Sequence, residues 1–253
     1  MLHSSVSLET NMLAAKFAVS PVTIRRDFEH FEKMGLVTTI YGGAIVNRTL
    51  PDIETDSSHY RIQEKRLIAK AAAELVKPGD TILLDAGSTV KELAIELLAK
   101  TDLTVLTNSI LAINVLAQGS NNVSLITLPG YFKKTTMCFL GAMTTDFLDI
   151  IHVDYAFIGV TTLSHKHGGT VPDPDEAFIK RKMSQVASST VVLADHWKIG
   201  APPMFTALSI KDIDVVITGK NENDQISLMR EDGVRIIEVD FSVTESSDAI
   251  PQL

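Results

Sequence analysis

The sequence predicts an α/β protein in two parts, a small N-terminal winged helix-turn-helix and a larger, mostly parallel βαβ domain. Three observations carry that prediction. A helix start at Ser20-Pro21 is followed by an amphipathic run and then by two β-prone segments around a Gly-Gly pair. Beyond residue 60, short Val/Ile/Leu runs alternate with amphipathic stretches, the pattern of strands buried on both faces of a parallel sheet. Between the two lies "NRTLPDIETDSSHY", which has little periodicity and several helix- and strand-breaking residues. The expected organisation is a head (1–48), a linker (49–60), a larger domain (61–241) and a polar tail (242–253).

In the head, Leu8, Met12, Ala15 and Val19, with Leu13 and Phe17 beside them, recur at helical spacing and predict a helix beginning at Leu8. A second helix is expected over Pro21 to Met34. Ser20 can cap its free amide groups, and proline suits the first helical position because its missing N–H would be unpaired there anyway. Ile24, Phe28 and Phe31 fall at i, i+4 and i+7 and make one apolar stripe, leaving Arg25, Arg26 and Glu29 facing elsewhere. Gly35 ends the helix, and "LVTTIYGGAIV" reads as a β wing turning at Tyr41-Gly42-Gly43. A complete head of this kind has three helices, so its first helix is expected to be missing and the head truncated.

In the larger domain a helix over Arg61 to Val76 is broken by "KPGD". The pattern then alternates between apolar runs and helical stretches: "TILLD", "STVKELAIELLAK", "LTVLTN", "SILAINVLAQG" and "VSLITL". Further along come "DYAFIGV", the helical "DEAFIKRKMSQVASS", "TVVLAD", "DVVITG" and "VRIIEVD".

Composition sets the outer limits. The 253 residues are 45% hydrophobic and 21% charged, enough apolar material for a core and too much for a disordered chain. No run approaches the roughly 20 apolar residues that span a bilayer, and no basic segment leads into an apolar one, so a cytoplasmic protein with no membrane partner is expected. Cys138 is the single cysteine, which excludes an internal disulfide, and its apolar setting "MCFLG" predicts an inert thiol. The net charge of −8 argues against nucleic acid only until the chain is divided. Residues 1–48 hold five basic and four acidic side chains, so the acidity belongs to the larger domain.

Ligands of open α/β sheets bind outside the carboxyl ends of the strands, and three polar clusters sit at such ends. Asp85 to Thr89 ("DAGST") opens a helix at Gly87-Ser88-Thr89, whose free amides favour an anion. Thr107-Asn108-Ser109 follows "LTVL", and Asp195 with Lys198 lies in "LADHWKIG". Together they suit a phosphorylated polyol: hydroxyls and amides for phosphate oxygens, carboxylates for sugar hydroxyls, lysine for charge. Glu176 and Lys180 stand at i, i+4 in "PDPDEAFIKRKM", readable as a surface ion pair or as part of the same crevice. His165 and His167 in "SHKHGG" read as a solvated loop, since no neighbouring ligand completes a metal site, and Trp197 reads as a packing residue or a stacking one. The chain has no P-loop lysine motif, no G-x-G-x-x-G, no G-x-S-x-G and no zinc spacing, and neither a cofactor nor a metal is expected.

These motifs, in this order and over nearly the whole chain, resemble the DeoR family of bacterial transcriptional regulators, the glycerol-3-phosphate-repressor-like group. The head "VSPVTIRRDFEHFEKMGLVTTIYGGA" carries the most specific part of the match, and "LDAGST", "LTVLTNS", "DYAFIGV", "PDPDEAFIKRKM" and "LADHWKIG" follow in family order. The resemblance implies a sensor domain related in fold to ribose-5-phosphate isomerase and glucosamine-6-phosphate deaminase. It implies that Ser20, Thr23, Arg25, Arg26, Tyr41, Gly42 and Gly43 face double-stranded operator DNA. It also implies that Asp85, Gly87, Ser88, Thr89, Thr107, Asn108, Ser109, Gly130, Lys134, Glu176, Lys180, Asp195 and Lys198 line a pocket for a phosphorylated sugar. A homo-oligomer, dimer or tetramer, follows from the spacing of operator half-sites. The sequence departs from the pattern at Tyr131, where the family has a second glycine, and at Thr39, where a basic residue is common.

The expected function is a repressor of carbohydrate transport or catabolism genes. The alternatives are a sugar-phosphate isomerase-like enzyme and a sensor with a non-functional head. Against the enzyme, the related isomerases carry acidic residues where this chain has Gly159-Val160-Thr161-Thr162, so the usual proton-shuttling carboxylates are absent.

Overall fold

A computed structural model describes residues 7–17, 19–33, 37–40, 42–46, 59–119, 123–200, 205–220 and 223–240. The chain forms two compact units, Met1–Ile53 and Glu54–Leu253.

In the smaller unit, β1 (Ser7–Glu9) leads into α1 (Thr10–Phe17), α2 (Pro21–Lys33), β2 (Val37–Ile40) and β3 (Gly43–Val46). The three strands form an antiparallel sheet in the order β1-β3-β2. Leu8 is therefore in a strand and not at the start of a helix: it pairs with Ala44, and that long-range pairing overrides the local helical spacing. The reading of a missing first helix concerns residues ahead of Ser7, which lie outside the described ones. Ile24 and Phe28 are buried with Ala14 and Ala44, and Leu13 packs beside them. Phe31, expected on the same stripe, is 41% exposed.

In the larger unit, α3 (His59–Leu75) precedes β4 (Thr81–Leu84), α4 (Ser88–Leu97), β5 (Leu103–Thr107), α5 (Ile110–Leu116) and β6 (Val123–Thr127). A hairpin of β7 (Tyr131–Lys133) and β8 (Cys138–Leu140) follows, then α6 (Ala142–Leu148) and β9 (Val153–Gly159). Next come β10 (Thr162–Ser164), β11 (Gly168–Val171), α7 (Pro174–Gln185) and β12 (Ala187–Leu193). The last elements are β13 (Phe205–Leu208), β14 (Val215–Gly219), α8 (Asp224–Glu231) and β15 (Arg235–Val239). Seven strands form one sheet in the order β15-β14-β12-β9-β4-β5-β6, and every pairing in it is parallel. Strands β10, β11 and β13 make a small antiparallel sheet of their own.

Alternation along the strands explains why apolar runs were needed. Ile82 and Leu84 face the cluster built on α3, α4 and α5 through Ile68, Leu93, Leu97 and Ala112. Leu83, between them, faces the opposite cluster with Leu148, Ile179, Met183 and Met229. Phe157 and Ile158, Val191 and Val192, and Val215 and Val216 divide in the same way. Ala187 to Ser189, expected to extend a helix, instead start β12, because Ala187 and Ser189 pair with Val153 and Tyr155.

Among the described residues of the smaller unit's core, Phe28 is the largest buried side chain. Phe28→Ala is expected to cost about 3–5 kcal/mol and to abolish the smaller unit's transition in calorimetry, leaving that of the larger unit in place.

Candidate functional site

The strand order places the topological switch between β4 and β9: β5 and β6 extend the sheet to one side of β4, and β9, β12, β14 and β15 to the other. Asp85 follows β4 at this point and is 2% exposed. Its Oδ2 accepts the Gly159 N–H at the end of β9 (3.0 Å) and the ammonium of Lys180, itself 5% exposed, from α7. Burial pulls the Lys180 ammonium down, but the Asp85 and Glu176 carboxylates outweigh it and leave the group above the ordinary lysine value.

Next to Asp85, Gly87 adopts φ 147° as the residue before α4, a backbone that side-chain-bearing residues rarely adopt. The hydroxyls of Ser88 and Thr89 on the first turn are buried and have no hydrogen-bond partner among the described residues. One strand over, Thr107 Oγ1 donates to the Leu84 carbonyl (2.7 Å) and accepts the Ser109 N–H (3.0 Å), so this turn is pinned to β4. Ser109 caps α5 through the Ala112 N–H (3.3 Å). Asn108 donates its amide to the Phe139 carbonyl (3.2 Å), and its Oδ1 is buried without a partner.

The hairpin β7–β8 spans from that turn to α7. Phe139 N–H donates to the Asn108 carbonyl (2.8 Å), and at the other end Lys133 bonds Asp173 and Glu176, the latter at 3.1 Å. Tyr131 donates to Asp175 at 2.9 Å. Glu176 and Lys180 thus take different partners, although they share a helix face. Burial lowers the Lys133 ammonium's affinity for its proton, yet the two carboxylates leave it raised on balance, while Asp173 is held low by Lys133 and by the amides it caps, against its own burial. Lys134, the lysine singled out from the sequence, is exposed, and its half-buried neighbour Lys133 is the one that meets the carboxylates. Lys133 ends β7 while Lys134 opens the turn that leads to β8, and a hairpin this short was not legible. Gly130 is required: its φ is 153°, and a Cβ there would lie 2.5 Å from the Leu140 carbonyl oxygen. Tyr131 occupies the departure from the family pattern, 51% exposed and tied to α7.

Asp195 ends β12 and is 4% exposed, followed by a turn of 3₁₀ helix, His196–Lys198, in which Lys198 is half-buried. The ends of β12, β9, β4 and β5 are consecutive in the sheet, so all three polar clusters open on one edge. Away from it, His165 pairs with Asp232 at 2.8 Å beside a cavity of about 360 Å³ that His167 also lines. Cys138 is 1% exposed and its thiol is pushed up to about 11 by burial, which makes it unreactive.

In the smaller unit, Ser20 Oγ accepts the Thr23 N–H (3.1 Å) and lies 2.8 Å from Thr23 Oγ1, so both residues serve the helix cap. Arg25 and Arg26 are exposed on α2, opposite Ile24 and Phe28. Gly42 is exposed at the wing turn with φ 85°, and Gly43 is buried and pairs with both Glu9 and Ile40. Tyr41 lies outside the described residues. Thr39 donates its N–H and hydroxyl to Glu32, each at 2.7 Å, tying the wing to α2.

A winged helix-turn-helix joined to a parallel α/β unit is the architecture of a DNA-binding regulator. Comparison with known proteins agrees. The DeoR-like helix-turn-helix domain matches residues 1–49 and the DeoR C-terminal sensor domain matches residues 60–220, and the chain belongs to the DeoR family. It is 32% identical to a putative aga operon transcriptional repressor of Escherichia coli O157:H7, over 93% of this chain and 89% of that one. It is 30% identical to a lactose phosphotransferase system repressor of Staphylococcus epidermidis (strain ATCC 35984), over 88% and 89% respectively. Ribose 5-phosphate isomerase A of Methanocaldococcus jannaschii overlaps 53% of each chain with a TM-score of 0.40 at 23% identity.

The pairs around α7 set a pH window. The raised Lys180 and Lys133 contribute stability that is complete below 10.5 and is lost as pH rises through their folded values. The lowered Asp173 contributes stability above 3.8 that is lost as pH falls. Lys180→Met, which strands the Asp85 charge, is expected to cost about 3–5 kcal/mol in urea unfolding at neutral pH and to flatten the loss of stability above pH 10.5.

Proposed function

We propose that this protein is a DNA-binding repressor of carbohydrate genes, switched by a phosphorylated sugar held at the ends of β4, β5 and β12. One observation carries the effector reading. Ser88 Oγ, Thr89 Oγ1 and Asn108 Oδ1 are buried side-chain atoms without a partner, and they gather at the ends of two adjacent strands. An unpaired buried polar atom costs about 1–3 kcal/mol, a cost that a bound ligand removes. The two hydroxyls and the free amides of α4 suit phosphate, while Asn108 Oδ1 and the carboxylates of Asp195 and Glu176 suit sugar hydroxyls. Lys133 supplies the charge for which Lys134 was expected.

The reading is of binding and not of turnover. Asp85 is committed to Lys180 and to the Gly159 N–H, and the residues that follow are Val160-Thr161-Thr162, so no carboxylate stands ready there to shuttle a proton. The names of the relatives, transcriptional repressors of operons and of a sugar transport system, support the same choice. In the head, α2 enters the major groove with Thr23, Arg25 and Arg26 toward the DNA, and the wing turn at Gly42 steadies it on the backbone. The working form is a cytoplasmic homo-oligomer. No described helix is long and apolar enough to cross a membrane.

Thr89→Val tests the pocket because it removes the unpaired hydroxyl without changing shape. It is expected to leave the ligand-free protein as stable or about 1 kcal/mol more stable. It should also weaken by about tenfold the binding of whichever sugar phosphate raises the wild-type melting temperature most in a panel of aldose and ketose phosphates. Equal affinity in both proteins would exclude Thr89 from the site. For the head, Arg26→Ala is expected to weaken binding to a duplex selected from a random pool and to lower the slope of log affinity against log salt by about 1. An unchanged slope would remove Arg26 from the DNA contact.

A further inference from the structure

Glu64 is a buried carboxylate to which none of the foregoing gives work. It stands with Ile68 and Ala72 at successive four-residue steps on the inner face of α3, and these are 1%, 0% and 0% exposed. An apolar residue would continue that stripe at no polar cost, whereas a carboxylate there must be hydrogen-bonded. Both of its oxygens are used on one residue: Oε1 accepts the His196 N–H at 2.7 Å and Oε2 lies 2.8 Å from His196 Nδ1. His196 follows Asp195 directly and precedes Lys198 by two positions, so the carboxylate of α3 grips the middle of the turn that carries the third polar cluster. The two partners are 132 residues apart in the chain, and only the fold brings them together.

We infer that Glu64 is the positioning residue through which the occupancy of the β12 end is passed to α3, the first helix after the segment joining the two units. The inference rests on the effector reading above for what occupies the crevice, and the grip itself does not depend on it. A ligand that draws Asp195 or Lys198 toward itself must either carry His196, and with it the first turns of α3, or break two hydrogen bonds to a buried carboxylate whose two oxygens both engage that residue. The conformations with and without ligand therefore differ in energy at Glu64, the condition for coupling between two sites. A lone His–Glu contact on the surface would let the turn move freely. Here the carboxylate is inaccessible, so the contact cannot be exchanged for water without opening the helix–sheet packing.

The test is amide hydrogen exchange on the full chain, without ligand and with saturating inorganic phosphate or glucose 6-phosphate as probes. Without ligand, Glu64→Leu is expected to speed exchange of the His196 amide by roughly tenfold while the amides of β4, β9 and β12 keep wild-type rates. Glu64→Gln, which retains an acceptor oxygen, is expected to restore the protection. Wild-type protection of the His196 amide in Glu64→Leu would overturn the positioning role whatever the ligand. With a probe that slows exchange over Asp85–Thr89, the wild type is expected to show altered rates in the first turns of α3 as well, and Glu64→Leu to show the change at Asp85–Thr89 only. A wild-type α3 that ignores such a probe, or a Glu64→Leu variant that responds as the wild type does, would overturn the coupling. If neither probe protects Asp85–Thr89, the effector reading fails for these two compounds, and the ligand-free comparison still decides the role of Glu64.

Discussion

Asp85 carries its charge at the end of a strand that lies in the middle of a parallel sheet, where water scarcely reaches it. Such a charge must be matched, and the match comes from two directions. The N–H of Gly159 comes from the neighbouring strand, and the ammonium of Lys180 from a helix that begins 89 residues further along the chain. Lys180 in turn fixes where α7 crosses the sheet, and α7 presents Asp173, Asp175 and Glu176 to the β7–β8 hairpin. The hairpin's other side is bonded to Asn108. One buried ion pair thus closes a ring of contacts around the crevice. Within that ring Ser88, Thr89 and Asn108 keep buried polar atoms that have no partner among the described residues.

The arrangement separates what holds the crevice from what fills it. Ion pairs and capped helices hold its walls, so the sugar phosphate proposed for it would meet groups that need little reorganisation. The hydroxyls of Ser88 and Thr89 and the amide oxygen of Asn108, without a partner among the described residues, are the opposite kind of feature, a cost that the proposed effector would relieve. The grip of Glu64 on His196 adds a mechanical link from the same rim to α3. In the smaller unit the same economy appears at Thr39. A position where the family commonly has a basic residue here clasps Glu32, trading a possible phosphate contact for a tie between the wing and the helix that carries Arg25 and Arg26.

Much of this was legible in the residues. Period-two and period-3.6 patterns are local, so the strands β4, β5, β6, β9, β12, β14 and β15 and the helices α3, α4, α5 and α7 could be read directly, whereas the short helices α6 and α8 were not. The polar clusters were legible because they end apolar runs, and a strand's carboxyl end is where open α/β sheets bind ligands. Where reading failed, a non-local partner had won. Leu8 is in a strand because Ala44 is across from it, and Ala187 to Ser189 are in a strand because β9 is beside them. Glu176 and Lys180, four apart on one helix, looked like a pair and are each bound elsewhere. By itself the sequence determined the class of fold, the division into two units and the family. Tertiary structure alone decided which side chains meet: Lys133 and not Lys134 at the carboxylates, Asp85 with Lys180, and Glu64 with His196. Buried charges choose partners by proximity in space, and proximity across 95 or 132 residues leaves no trace in local spacing.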